Sequence, residues 1–433
     1  MPVSPVGFVA DQYAIREAVV QGFFHTHAPE IAELCHSMAR RFIRGGRLLA
    51  FGAGAAATDA QHVSVEFVHP VIVGKRALPA LALPNDVPSV LGFASTDPVS
   101  SFARQLQVIG HEGDIALGMV HGPRDPGGRA AAAGLEEATA RGMLTISLAG
   151  AGEGSPAEHV FTVDCDDTFV VQEVHETLYH VLWELVHVFF EHKGLLEDRP
   201  RGSSHDTGRS SFLYPFLAEA ETGVEAVLEE VASSVLRKAS DVTGMRNASE
   251  RGDELADTAH RISERLRAGG KLLTFGNGGS ATDAQDLVAD CLAPPDGLAP
   301  VPAISLTNDS AVITAVANDV GVENIFARQV IAYGQEQDVA VAISTSGGSR
   351  NVLLAVEEAR RRGLLTVCFA GYGGGRLAEA CDCSHTIDAD YIPRIQEAQA
   401  TQYHVLRRLL AFDELSEPAT TAAGRSNGSE SST

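Results

Sequence analysis

One stretch of the chain recurs almost intact: RGGRLLAFG at 44–52 returns as AGGKLLTFG at 268–276, a shift of 224 residues. ATDAQ (57–61 and 281–285) and FARQ (102–105 and 326–329) repeat at the same shift. Self-similarity at a fixed period marks a duplicated structural unit, so the chain must build one architecture twice. Its 433 residues suffice for two ordinary α/β domains, each with its own core. A three-residue excess near 123–128 in the first copy is offset in the second, after which the register returns. VVQE at 170–173 then matches RIQE at 394–397, and Tyr179-His180 matches Tyr403-His404.

Each copy reads as a helix, then a short apolar strand (LLAF, LLTF) entering a Gly-rich turn and a helix, then further alternation. ALPALAL, DIALGMV and MLTISLAG supply strands in the first copy; APVPAISL, DVAVAIS and LLTVCFAG supply them in the second. Short β-rich runs alternating with helical stretches predict a parallel sheet covered by helices on both faces. Each copy closes on a long helix, such as VHETLYHVLWELVHVFFEH. The boundaries expected are 12–195 for the first repeat, a polar linker at 196–225, 226–415 for the second, and a disordered tail at 416–433.

A net charge of −23, spread along the chain, leaves little to attract a nucleic-acid backbone. The N-terminus lacks a signal-peptide pattern and no apolar run approaches a spanning length, so no membrane partner and a cytoplasmic location are expected. Six irregularly spaced cysteines read as buried free thiols rather than a disulfide or zinc framework.

In the second repeat, strand KLLTF runs into Gly276-Asn277-Gly278-Gly279-Ser280, and strand DVAVAI into Ser344-Thr345-Ser346-Gly347-Gly348-Ser349. Both turns precede helices, so free backbone N–H groups and hydroxyls converge at one sheet edge, which suits phosphate. GNGGSATDAQ with STSGGSRNV and RIQE resembles the sugar isomerase (SIS) domain, in particular its phosphoheptose isomerase branch. The resemblance covers nearly all of both repeats. It implies an α/β fold of two tandem three-layer αβα domains. It further implies that Asn277, Gly278, Ser280, Ser344, Thr345, Ser346 and Ser349 bind phosphate or substrate, and that Asp319 contacts the sugar, with Asp97 as its first-repeat counterpart.

The first repeat carries His62 and Glu66, four apart on one helix face, and Gln172 and His180, eight apart on another. The family resemblance implies that Glu66 is the base moving a proton between C1 and C2 and that His180 is the acid. It also implies that His62, Glu66, Gln172 and His180 bind Zn2+ in some members. Removing a proton α to a carbonyl builds an enediolate whose charge must be met by a proton or a metal. No nucleotide cofactor is expected. His175, His187 and His192 read as structural.

The copies have lost different parts. The first has Ala53 for Asn277, Ala56 for Ser280, and MVHGPRD at 119–125 around the hydroxyl loop, where His121 and Arg124 alone could meet an anion. The second has Asp286 for His62 and Asp290 for Glu66, and a solvated helix face is the expectation for that pair. Ser280 and Asp290 lie ten residues apart, about 15 Å along a helix, so one copy's carboxylate is far from its own cradle. Composite sites between repeats follow, the second-repeat cradle facing first-repeat acid and base. The family's interfacial sites imply a homodimer of four SIS-type domains. The activity implied is aldose–ketose isomerisation of a phosphorylated sugar, sedoheptulose 7-phosphate to D-glycero-D-manno-heptose 7-phosphate. The alternative is a non-catalytic sugar-phosphate-binding regulatory or accessory protein. The isomerase half of a hexosamine-forming amidotransferase is disfavoured, because no glutaminase sequence precedes the repeats and the His/Glu and Gln/His pattern belongs to the heptose branch.

Overall fold

A computed structural model of the chain describes residues 4–72, 74–122, 127–152, 156–191, 224–295 and 297–415. The expected linker (196–225, but for its last two residues), the expected disordered tail, Arg124 and His192 lie outside the described residues.

Among the described residues, ten strands form two sheets. The first sheet holds β1 (Leu48–Phe51), β2 (Ala80–Ala82), β3 (Ile115–Val120), β4 (Leu144–Gly150) and β5 (His159–Val163), in the order β2-β1-β3-β4-β5. The second holds β6 (Leu272–Phe275), β7 (Ala303–Ser305), β8 (Val339–Ser344), β9 (Leu365–Ala370) and β10 (Cys383–Thr386), in the equivalent order β7-β6-β8-β9-β10. Every pairing is parallel, and Leu48 opposite Ile115 becomes Leu272 opposite Val339 in the second copy. The central strands β1, β3, β4, β6, β8 and β9 are buried throughout, which explains why they read as unbroken apolar runs. The edge strands β5 and β10 were not singled out in the sequence, because HVFTV and CSHT bury only alternate or scattered residues.

Alternate side chains of each strand point to opposite helical layers. Leu48, Ala50, Leu117 and Ile146 pack under the helices Pro5–Ile43, Ala55–Val68 and Thr168–Glu191, whereas Leu49, Phe51 and Ala116 meet Ser101–Ile109 and Gly128–Ala140. The second sheet repeats this with Gly252–Arg267, Gly279–Leu292 and Ile392–Leu415 on one face, and Ile325–Tyr333, Arg350–Arg361 and Gly375–Ala380 on the other. Three layers of αβα result in each copy, as expected.

The two copies also exchange helical arms. Val227, Val231, Val235 and Ala239, from the helix Val224–Ala248 that opens the second repeat, complete the core of the first. Val9 and Tyr13, from the start of the helix Pro5–Ile43, complete the core of the second. The packing therefore cuts across the boundary expected between residues 195 and 226. Residues 1–195 expressed alone lack four buried side chains of their own core, so near-UV circular dichroism should show no fixed tertiary packing. Co-expression with 196–433 should restore it.

Candidate active site at the junction of the repeats

The strand order reverses between β1 and β3 and between β6 and β8, and in open α/β sheets ligands collect at such a switch point. Both hydroxyl-rich turns of the second repeat stand there. Gly278 begins its helix with φ +59°, a left-handed conformation open to glycine. Asn277 and Asn351 exchange amide hydrogen bonds of 2.9 and 2.8 Å, which ties the first turn to the helix after the second. In the second turn Ser344 Oγ accepts from Gly347 N (3.2 Å) and Ser346 Oγ from Gly348 N (3.3 Å). Ser280 and Ser344 are buried, Asn277, Gly278 and Ser346 exposed, and Thr345 and Ser349 intermediate, so the cradle opens to solvent at one side.

The floor of this cradle is made by the other repeat. A Cβ on Gly279 would lie 2.6 Å from His62 Nε2 and 1.9 Å from Gln396 Nε2, so His62 of the first repeat sits directly against the second-repeat helix start. The helices Ala55–Val68 and Gly279–Leu292 pack together, and Thr168–Glu191 and Ile392–Leu415 close around them. Of the 24 residues of Thr168–Glu191, 19 are buried, including Gln172, Glu173, Glu176 and His180. Polar side chains held inside an almost fully buried helix need partners, and here they find them across the junction.

Two pseudo-equivalent clusters result. In the first, His62 Nδ1–H donates to Tyr179 Oη (3.1 Å), which donates onward to Asp59 Oδ1 (3.4 Å), leaving the His62 Nε2 lone pair to accept from Gln396 Nε2 (3.1 Å). Burial, then the neighbouring His180, holds the His62 pKa well below the usual imidazole range, so the ring is neutral. His180 Nδ1–H donates to Glu397 Oε1 of the second repeat at 2.9 Å, which turns Nε2 inward. Glu66 Oε1 lies 3.8 Å from His62 Nε2, and burial raises the Glu66 pKa against the lowering pull of His180 and His69. Glu66 Oε2, His180 Nε2 and Gln396 Oε1 are buried without a hydrogen-bond partner. The His62 and His180 imidazoles, the Glu66 carboxylate and the Gln396 carboxamide are donor types that Zn2+ takes, and Glu176 places an oxygen within 4.8 Å of both rings.

The second cluster is more densely hydrogen-bonded. His404 Nδ1–H donates to Glu173 Oε1 of the first repeat (2.9 Å), and His404 Nε2–H reaches Asp286 Oδ2 (3.2 Å). Asp286 also accepts from Gln172 Nε2 (2.8 Å), Tyr403 Oη (2.9 Å) and Thr58 Oγ1 (3.2 Å). Burial alone would lower the His404 pKa, but the surrounding carboxylates of Asp286, Asp290 and Glu173 raise it well above the usual range, so the ring is an imidazolium. Glu173 in turn accepts both Arg16 Nε contacts, at 2.9 and 3.0 Å.

Several positions differ from expectation. Asp286 and Asp290 are 2% and 3% exposed, not a solvated face, because His404 supplies a buried cation for them. Gln172 does not stand with His62, Glu66 and His180: its amide serves Asp286, and the carboxamide beside His62 is Gln396. Asp97 is not the structural counterpart of Asp319. Asp319 sits inside the eleven-residue helix Ser310–Val320, whereas the first-repeat helix Val87–Ala94 stops after eight and Asp97 caps the next turn through Val99 N (3.1 Å). Both aspartates are exposed, and Asp319 lines a separate cavity of about 480 Å³. His121 turns inward to Asp59 Oδ2 (2.7 Å) instead of meeting an anion. Glu176 was missed, although it falls between Gln172 and His180 at spacings of four. Its carboxylate, His62 and His180 offer atoms within 4.8 Å of one another.

Replacing Glu173 by Gln leaves the fully buried Arg16 and His404 without their carboxylate, so Glu173→Gln should cost about 3–5 kcal/mol of stability. Urea unfolding of the full chain checks this.

Both repeats match a family profile described as the SIS domain, over residues 13–150 and 238–371. Phosphoheptose isomerase from Rhodospirillum rubrum is 43% identical over 157 residues, covering 35% of this chain and 81% of that protein. The enzyme of the same name from Desulfovibrio desulfuricans is 46% identical over 167 residues, covering 38% and 78%. Among solved structures, the C-terminal domain of glucosamine-fructose-6-phosphate aminotransferase from Francisella tularensis matches 94% of the chain and 95% of its own length at a TM-score of 0.55. Its identity of 10% makes this a likeness of fold.

Proposed function

The chain belongs to the SIS-domain family, and on that footing we propose that it is a sugar-phosphate aldose–ketose isomerase with one working site per chain, built from both repeats. The observation that carries this reading is the contact of the Gly279 turn with His62, which puts the hydroxyl cradle of the second repeat beside the His/Glu/His set of the first. The relatives act, by name, on phosphoheptose, so sedoheptulose 7-phosphate is the proposed substrate and D-glycero-D-manno-heptose 7-phosphate the product.

In this mechanism Ser280, Ser344, Thr345, Ser346 and Ser349, with the N–H groups of both turns, hold the phosphate. The far end of the sugar then lies toward Glu66, His62 and His180. Glu66, a buried carboxylate made more basic by desolvation, removes the proton from one of C1 and C2 and returns it to the other. His180 exchanges a proton with the sugar oxygen, and Glu397 behind it stabilises the imidazolium. Zn2+ held by His62, Glu66, His180 and Gln396 would, when bound, stabilise negative charge on that oxygen. The opposite combination, the first-repeat loop with Asp286 and Asp290, lacks both cradle and base.

Glu66→Gln should lower kcat for sedoheptulose 7-phosphate by about 10²–10⁴-fold. Gly279→Ala, whose methyl displaces His62 and Gln396, should lower it by about a hundredfold with the fold retained. Phosphosugar binding without turnover would instead favour a regulatory binder.

We also propose that two chains associate into a four-domain assembly. The helices Val87–Ala94 and Ser310–Val320 are apolar yet bury no residue, and Val87, Leu91 and Val320 are more than half exposed. Light scattering should give a dimer for the natural chain and a monomer for Leu91→Glu/Val320→Glu.

A further inference from the structure

The second cluster has more ligand chemistry than a vestige requires. Asp286, Asp290 and His404 place one donor atom each within 4.8 Å of one another, all buried. Asp290 Oδ2 accepts no hydrogen bond, its nearest cationic atom being His404 Nε2 at 3.5 Å. Asp283 Oδ2, buried as deeply, is also without a partner. A cavity of about 10 Å³, near the size that holds one water or ion, lies between the two clusters, bounded by Asp283, Asp286, His404 and Gln172 together with His62 and Glu176. The Gln172 carboxamide is already 2.8 Å from Asp286 and can present its oxygen by rotating about its last bond.

We propose that Asp286, Asp290, His404 and Gln172 form a second divalent-cation site, built across the repeat junction and taking a hard ion such as Mn2+, which replaces the proton on His404 Nε2 and releases it to solvent. The substitutions that removed catalysis here also changed the ligand chemistry. His62 and Glu66 of the first cluster correspond to two aspartates, so the donor set moves from two imidazoles with two oxygens to one imidazole with three oxygens. Carboxylate-rich sets suit Mn2+ or Mg2+. The change of volume is consistent with this: Gly279, against which His62 packs, has Ala55 as its counterpart, and His62 has the shorter Asp286. An ion held there joins Gln172 of the first repeat to three ligands of the second, so its role is to brace the junction that the working site shares.

The test is Mn2+ titration of the metal-stripped full chain, followed by electron paramagnetic resonance and by thermal melting. The natural chain and His62→Ala/His180→Ala should both bind Mn2+ and melt higher when loaded. Asp290→Asn, a nearly isosteric change, should weaken the second-cluster Mn2+ affinity by about 100-fold. In the His62→Ala/His180→Ala variant, His404 is the histidine left in either ligand set, so pulsed spectra should show one coordinated imidazole nitrogen. Equal Mn2+ affinity in the natural chain and Asp290→Asn overturns the proposal. Should that variant fail to fold, absence of nitrogen coupling in His62→Ala/His180→Ala overturns it as well.

Discussion

Each of the long helices Thr168–Glu191 and Ile392–Leu415 sends a glutamate across the junction to the histidine of the other: Glu397 to His180 and Glu173 to His404, both at 2.9 Å. These buried pairs fix the inward direction of both rings and tie the two repeats together. Removing a charge from an interior without its partner is expensive, so the arginines Arg16, Arg246 and Arg394 that surround the glutamates are part of the same constraint. The exchange of helical arms adds an apolar counterpart, each core being completed by side chains from the opposite repeat. A site made from both copies is a consequence of that junction.

The junction also explains how two copies of one ancestral site could diverge in opposite directions. Cradle and acid–base set belong to different repeats at each composite site, so the losses recorded in the sequence fall together on one of them. His62 packs against the intact turn at Gly279, whereas Asp286 meets Thr58 just after the turn that has become Gly-Ala-Gly-Ala-Ala. In the first cluster three inward polar atoms, Glu66 Oε2, His180 Nε2 and Gln396 Oε1, have no hydrogen-bond partner. In the other, the imidazolium of His404 neutralises the carboxylates around it.

Much of this was legible in the sequence. The 224-residue register carried four of the five strands of each sheet, because parallel strands buried on both faces must be apolar throughout. The two hydroxyl turns, and their position after adjacent strands, were equally plain. What a repeat register does not carry is which copy a side chain faces: Gln172 and Gln396 are equivalent by alignment, and only the packed helices show that each amide crosses to the other copy's cluster. Composition misled for Asp286 and Asp290, since acidic residues are mostly solvated and the buried cation that reverses this comes from a distant helix. Asp97 failed for a local reason, a helix three residues shorter in the first repeat.

The sharing of one site by two repeats of the same chain is tested most directly by complementation. Glu66→Gln, which removes the base, and Ser344→Ala/Ser346→Ala, which removes cradle hydroxyls, are co-expressed and purified as the mixed assembly. Because cradle and base lie together within one chain, the mixture should remain as inactive toward sedoheptulose 7-phosphate as either variant alone. Recovery of a substantial fraction of natural activity would place base and cradle on different chains and contradict the intrachain site.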